Sequence, residues 1–243
     1  MSTTHRPAGT TTQGTLPRCF EVLLPMLLLL SLVSGCSNIT AIGAKMLFGD
    51  PKVAATFRQS TGVDLEKGEK TVAIFCQAPY SVTVANDSIK ADIQDQLRRR
   101  MTLRGIKVAD PDDVANALDD LSERSITDAI AKLPDVDYII LIQMDKLSYT
   151  ESDTSPLLRG RSQGVVQVFE VRRPEEGIQT TATHTIEVLR QEYQVEFPRS
   201  HPAPSSQMTH RDFSNKFLQY LADDLGHHFY DVPTSELYNH DFD

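Results

Sequence analysis

The chain has 243 residues, of which 24 are basic and 33 acidic, a formal net charge of −9. A surface of that sign keeps a protein in solution and argues against nucleic acid or anionic lipid as its main partner. With only three cysteines, at positions 19, 36 and 76, little disulfide chemistry is open to it.

The first element is Val22 to Val33, 12 mostly apolar residues. A helix needs roughly 20 to cross about 30 Å of hydrocarbon, so this run is too short to span. Ahead of it lies a polar leader whose only formal cations are Arg6 and Arg18, and behind it come the small residues Ser34 and Gly35. That order is the layout of a secretory signal, which is removed after export.

The residues Val33-Ser34-Gly35-Cys36 resemble the lipobox of bacterial lipoproteins. The resemblance implies cleavage just before Cys36 and acylation of its thiol, by chains such as palmitate. A chance Cys behind an ordinary secretory signal is the alternative. Two features depart from the pattern: the polar leader is long, and Glu21 abuts the apolar run. Each buried methylene contributes about 0.8 kcal/mol, so one acyl chain holds a protein reversibly and two or three hold it durably. The mature protein is therefore expected on a membrane, tethered through Cys36. In the same resemblance the next residue directs sorting, and Ser37, which is not Asp, points to the outer membrane with the body facing the periplasm.

Removing residues 1–35 leaves 208, enough for one domain or two small ones. It also removes Arg6, Arg18 and Glu21, leaving 22 basic and 32 acidic residues and a net charge of −10. Cys19 leaves with the leader and Cys36 carries lipid, so Cys76 has no disulfide partner. At the end of the run TVAIFC it reads as a small packing residue.

Residues 36–70 read as a lipidated spacer with one short helix. Asp50 can cap it, Pro51 suits its first position, Val53, Ala54 and Phe57 share a side, and Gly62 ends it. The body, residues 71–231, begins with the strand TVAIF. Ser88 then caps a helix whose Ile89, Ile93, Leu97 and Met101 recur every four positions, one face of an amphipathic helix. Gly105 sits where a helix end wants a left-handed residue, and IKVAD follows as a second strand.

Asp110-Pro111 opens a helix with Val114, Leu118 and Leu121 inward, and Ser125 to Asp128 resembles a capping box for another, stopped by Pro134. The apolar stretch Tyr138 to Ile142 gives way to alternation, as in a strand buried first on both faces and then on one. GVVQVFEV and the segment 178–197 read as an antiparallel hairpin turning at Pro174 to Gly177, the second arm long enough to need a bulge or break near Arg190. Residues 198–207 form a loop rich in Pro and Ser. Thr209 and Asp212 then form a capping box before Phe213, Phe217, Leu221, Leu225 and Phe229, strictly four apart, which predicts a long helix with an aromatic stripe. Residues 232–243, acidic and without Lys or Arg, read as a flexible tail. The order β-α-β-α-α-β-β-β-α predicts an α/β (α+β) fold, a mixed β-sheet with packed helices.

That succession is similar to the α/β domain shared by the N-terminal part of TolB, by CsgG and by LpoB. The residues that carry the likeness are TVAIF as first strand, LRRRMTLRGIKVAD as helix and second strand, and LPDVDYIILIQM as third strand, followed by hairpin and closing helix. The resemblance implies work by contact: recruiting an envelope partner, activating a cell-wall synthase or assembling a secretion pore. A pore is not expected, because residues 150–163, TESDTSPLLRGRSQ, are too short and polar for the inserted barrel hairpins of the CsgG kind.

No nucleophile elbow, phosphate loop, dinucleotide loop or H-E-x-x-H motif is present, so neither an enzyme nor a cofactor is expected. The metal alternative rests on Asp223 with His227 and Asp224 with His228, pairs four apart on the closing helix, with His240 and Asp241 near by in sequence. Such pairs can ligate a metal. On the polar face of a helix near its C-terminus, however, solvation and the helix dipole favour the same residues, and that reading is adopted. His184 lies in a strand among threonines. Arg98, Arg99 and Arg100 turn about 100° apiece around their helix, so they make no phosphate patch and are expected, with Arg104, to complement the helix C-terminus. The expected protein is a lipid-anchored interaction protein that binds an envelope protein and no nucleic acid. No oligomeric state is assigned. The alternative is a small-ligand or metal-binding periplasmic lipoprotein.

Overall fold

The computed structural model describes residues 50–84, 86–119, 125–152, 156–174 and 183–239. The signal segment, Cys36, Leu121, the hairpin turn after Pro174, His240 and Asp241 lie outside them. From Lys52 onward the chain forms one unit. It opens with β1 (Lys52–Val53), α1 (Thr56–Thr61), a 3-10 turn (Leu65–Lys67), β2 (Thr71–Gln77), α2 (Tyr80–Thr83), α3 (Ile89–Leu103) and β3 (Lys107–Val108). There follow α4 (Pro111–Asp119), α5 (Ile126–Ile130), β4 (Tyr138–Thr150), β5 (Leu157–Arg172) and β6 (His184–Phe197). Last come β7 (Ala203–Pro204), α6 (His210–Gly226), β8 (Val232–Pro233) and α7 (Thr234–Asn239).

The main sheet has the order β3-β2-β4-β5-β6, with β7 on β5. β3 and β4 run parallel to β2, while β5 and β6 are antiparallel. The fold is thus the expected α/β arrangement with a mixed sheet. The crossover from β2 to β3 through α3 covers one face, and the crossover from β3 to β4 through α4 and α5 covers the other. β2 and the start of β4 lie between these layers, which is why both read as continuous apolar runs. From Gln143 onward β4 alternates, with Met144 buried and Gln143 and Asp145 exposed.

The larger core lies between the sheet and the pair α3 and α6. Ile89, Ile93, Leu97 and Met101 of α3 are fully buried against Phe213, Phe217, Leu221 and Leu225 of α6. Each such side chain contributes about 1.5–3 kcal/mol over leaving it in water. A smaller core under α4 and α5 gathers Ala73, Val114, Ile130, Ile139 and Val171.

Helix ends follow their local chemistry. Gly62 and Gly105 take the left-handed conformation, φ 73° and 84°, that ends α1 and α3. The Thr209 hydroxyl accepts from the Asp212 N–H at 3.1 Å and donates to the Asp212 carboxylate at 2.7 Å, so the cap on α6 forms. Ser88 and Ser125 do not cap as expected. Ser88 Oγ donates to the Asp92 carboxylate at 2.7 Å, and Ser125 Oγ pairs with Thr127 Oγ1 at 2.8 Å, because a nearby side chain competes with the backbone N–H groups.

Several boundaries differ from the sequence reading. Helix α1 starts at Thr56, not at Pro51; Lys52 and Val53 pair instead with Pro233 and Val232 of β8. Phe57 is fully buried, its ring edge-on to Tyr138 at 5.1 Å, so the stretch expected as a spacer joins the body from Lys52 onward. The expected tail is likewise structured up to Asn239, as β8 and α7. The polar segment 150–163 is strand from Leu157 onward, and the inward positions there and just beyond it are Leu158, Gly160, Ser162 and Gly164. Small residues there hid the alternation. They are required because Phe217 lies over Gly160, while the Gln143 carbonyl and Tyr193 hydroxyl crowd Gly164. In β6 the irregularity falls at Val188, a bulge between the pairs Phe169–Glu187 and Val168–Leu189, and the strand then runs on to Phe197. The loop 198–207 contributes β7, which pairs with Leu157 and Leu158.

Candidate functional site

The residues singled out in sequence cluster at the end of α6, where they meet other elements. Arg100 of α3 forks onto the Asp223 carboxylate through Nε to Oδ1 and through Nη2 to Oδ2 at 3.1 Å, and Nη2 also donates to the Gln219 carbonyl at 2.8 Å. Charge-assisted forks of this kind are strong and directional, so Asp223 acts as a clamp between α3 and α6. Asp224 stands 3.8 Å from Arg199. The His227 ring lies edge-on to Tyr230, centroids 6.0 Å apart. Asp223, Asp224 and His227 border a shared hollow of about 150 Å³.

His228 is turned elsewhere. Its Nδ1 lies 3.4 Å from Thr56 Oγ1, its carbonyl accepts the Phe57 N–H at 2.9 Å, and burial holds its pKa below the ordinary imidazole value. The spacing of four thus brings Asp223, Asp224 and His227 together but leaves His228 out. Among the described residues no group of three or more His, Cys, Asp or Glu side chains is arranged to hold a metal ion.

The arginines fan around α3 as expected but serve different ends from those predicted. Arg98 and Arg99 fold back onto Asp95 at 2.9 and 2.7 Å. Arg100 and Arg104 reach across to other elements instead of complementing the helix end: Arg104 pairs with Glu236 of α7 at 2.7 Å and lies 4.9 Å over the Tyr230 ring. The thiol of Cys76 is buried, and desolvation pushes its pKa up to about 12, which leaves little nucleophilic thiolate at neutral pH. His184 is exposed at the start of β6, opposite Arg172.

A cavity that sequence reasoning missed opens where the parallel strands end. β2 stops at Gln77, the last residue paired with β4, while β4 continues to Thr150. Because β2 ends while β4 runs on, a crevice remains at the carboxyl end of β2 beside the middle of β4. Its volume is about 530 Å³, and Gln77, Pro79, Lys90, Gln143, Met144 and Asp145 are among its lining residues. Gln143 Nε2 donates to Asp145 Oδ1 at 3.1 Å and orients that carboxylate. Asp145 also borders two adjoining hollows of about 340 and 380 Å³ over β5 and β6. In the sequence the only sign is a polar residue at every second position, Gln143 and Asp145, once the apolar run of β4 ends. The crevice itself depends on strand order.

These features define a class: an α/β domain with a mixed sheet, helices on both faces and a crevice at the carboxyl end of β2. No family model and no curated protein sequence matches the chain. Among solved structures its fold is similar to the hypothetical protein CT253 from Chlamydia trachomatis, at 12% identity over 52% of this chain and 72% of that chain, with a TM-score of 0.34. It is also similar to the LpoB C-terminal domain from Salmonella enterica, at 11% identity over 57% of this chain and 88% of that one, TM-score 0.34. A PelC dodecamer from Paraburkholderia phytofirmans matches at 8% identity over 74% and 96%, TM-score 0.34. Likeness at these identities is likeness of fold alone. No helix among the described residues is long and apolar enough to cross a membrane.

Proposed function

We propose that this chain is a lipid-anchored accessory protein of a bacterial cell envelope that works by binding another envelope protein, without catalysis. One observation carries the reading: the 12-residue apolar run followed by Val33-Ser34-Gly35-Cys36, too short to span and ending on an acylatable thiol. Ser37 supports the outer membrane as the anchoring side, and a mature net charge of −10, from 22 basic and 32 acidic residues, suits a body held in solution beside that membrane. A second reading, binding of a small ligand, is favoured by the 530 Å³ crevice at the end of β2 beside the middle of β4.

The test compares wild type with Cys36→Ala in fractionated cells. Wild type is expected in the membrane fraction, its mature chain beginning at an acylated Cys36 by mass spectrometry, and crosslinking there should capture the same envelope protein repeatedly. The variant should lose the membrane. A Cys36→Ala chain that stays with the membrane, or a mature chain that still begins at Met1, removes the anchor from the account.

A further inference from the structure

We propose that the crevice between the carboxyl end of β2 and the middle of β4 binds a small zwitterion of the amino-acid or short-peptide kind, holding a carboxylate at Lys90 and an ammonium at Asp145. The inference is independent of the lipid anchor and of any protein partner.

Four observations lead to it. The crevice lies at the carboxyl end of β2, where that strand stops at Gln77 while β4 runs on, so Met144 and Asp145 have no partner in β2. Its 530 Å³ falls within the range of small-molecule sites and admits an amino acid or dipeptide. It offers one cation and one anion from different elements, Lys90 in the first turn of α3 and Asp145 on β4. Finally, neither charge is engaged in an ion pair among the described residues, whereas Arg58, Arg100, Arg104 and Arg159 are each paired with carboxylates.

The local chemistry separates the two ends. Lys90 lines the crevice from α3 and Asp145 lines it from β4, so the two charges come from different elements. A carboxylate beside Lys90 also faces the first turn of a 15-residue helix, whose dipole favours negative charge. Asp92 in that turn is held by Ser88 and does not line the crevice. On the other side, the Gln143 amide holds one oxygen of Asp145 and leaves the second for an ammonium. Half-buried Phe75 supplies apolar wall for a side chain. A simple anion would meet Asp145 and a simple cation would meet Lys90; a molecule carrying both charges satisfies both.

The full chain, purified in detergent, is titrated with alanylalanine and with two blocked forms, N-acetylalanylalanine and alanylalanine amide, up to about 10 mM, with backbone amide NMR shifts as the readout. Alanylalanine is expected to move the signals of Gln77, Gln143 and Asp145, and each blocked form to bind at least about tenfold more weakly. Lys90→Gln should abolish the preference for the free carboxylate alone, and Asp145→Asn the preference for the free ammonium alone; both sites are exposed, so the fold is expected to survive. Equal binding of the three probes, preferences unchanged in the variants, or no shift at the crevice over the full titration overturns the proposal.

Discussion

At the scale of single residues, His228 has the clearest consequence. Its ring is largely desolvated where the end of α6 meets α1, with Thr56 Oγ1 at 3.4 Å and Phe229 beside it, while the nearby Asp231 carboxylate is taken by Arg58 at 2.6 Å and the Ala55 N–H at 3.0 Å. Burial therefore disfavours the imidazolium and lowers its pKa in the folded chain. Between that lowered value and the unfolded value of about 6.5 the unfolded chain binds more protons, so stability falls as pH drops through this window. Melting temperature is expected to decline between pH 7 and pH 5 in wild type and to decline less in His228→Gln. Equal declines would assign the effect to other groups. The carboxylates held low by arginine, Glu187, Glu196 and, against the opposing effect of its burial, Asp95, contribute stability that is lost from the ordinary carboxylate value downward, so most of their effect falls below the window of the comparison.

At the scale of elements, β5 is governed by its glycines. A methyl group at Gly160 would enter the ring of Phe217, and one at Gly164 would strike the Gln143 carbonyl of the neighbouring strand. A ring can shift, whereas a ladder carbonyl cannot move without breaking the β4–β5 pairing. Urea unfolding is expected to show Gly160→Ala costing about 1–3 kcal/mol and Gly164→Ala costing more. Trimming the ring, Phe217→Leu, should recover part of the Gly160→Ala loss and none of the Gly164→Ala loss; purely additive effects would mean that the ring contact is not the cause. The same residues explain what was legible. The stripes Ile89 to Met101 and Phe213 to Phe229 could be read directly, because helix burial writes itself as large side chains at a spacing of four. The first half of β5 could not, because its buried positions include Gly and Ser, which carry no apolar signal.

At the scale of the whole molecule, the segment from Lys52 to Lys67 behaves as a strap fastened by the far end of the chain. Val53 pairs with Val232, Phe57 packs between Tyr138 and Phe229, the Phe57 N–H bonds the His228 carbonyl, and Asp231 N–H donates to Glu66 at 3.1 Å. Nothing local in residues 52–67 announces partners more than 160 positions away, which is why a spacer was read there. The crevice of Lys90 and Asp145 escaped for the same reason: its walls come from separate elements joined only by strand order. Removing the Phe57 ring should cost about 3–5 kcal/mol, measured as Phe57→Ala in urea. Relative to a chain beginning at Lys52, a chain beginning at Glu69 should lose at least as much stability as Phe57→Ala costs. Equal stability of the two truncations would return the strap to the status of a spacer.

The outer margin of β6 carries this logic beyond one copy. Among the described residues β6 has a single strand neighbour, β5, and its other side offers fourteen residues of backbone to any passing chain. The extra residue at Val188 throws the repeat out of step a third of the way along, and Glu187, Arg190 and Glu192 stud the same stretch with charge. A neighbour zipping on from either end would lose its matching donors and acceptors within a few residues, so crowded copies are steered away from fibrous growth while each keeps its sheet intact.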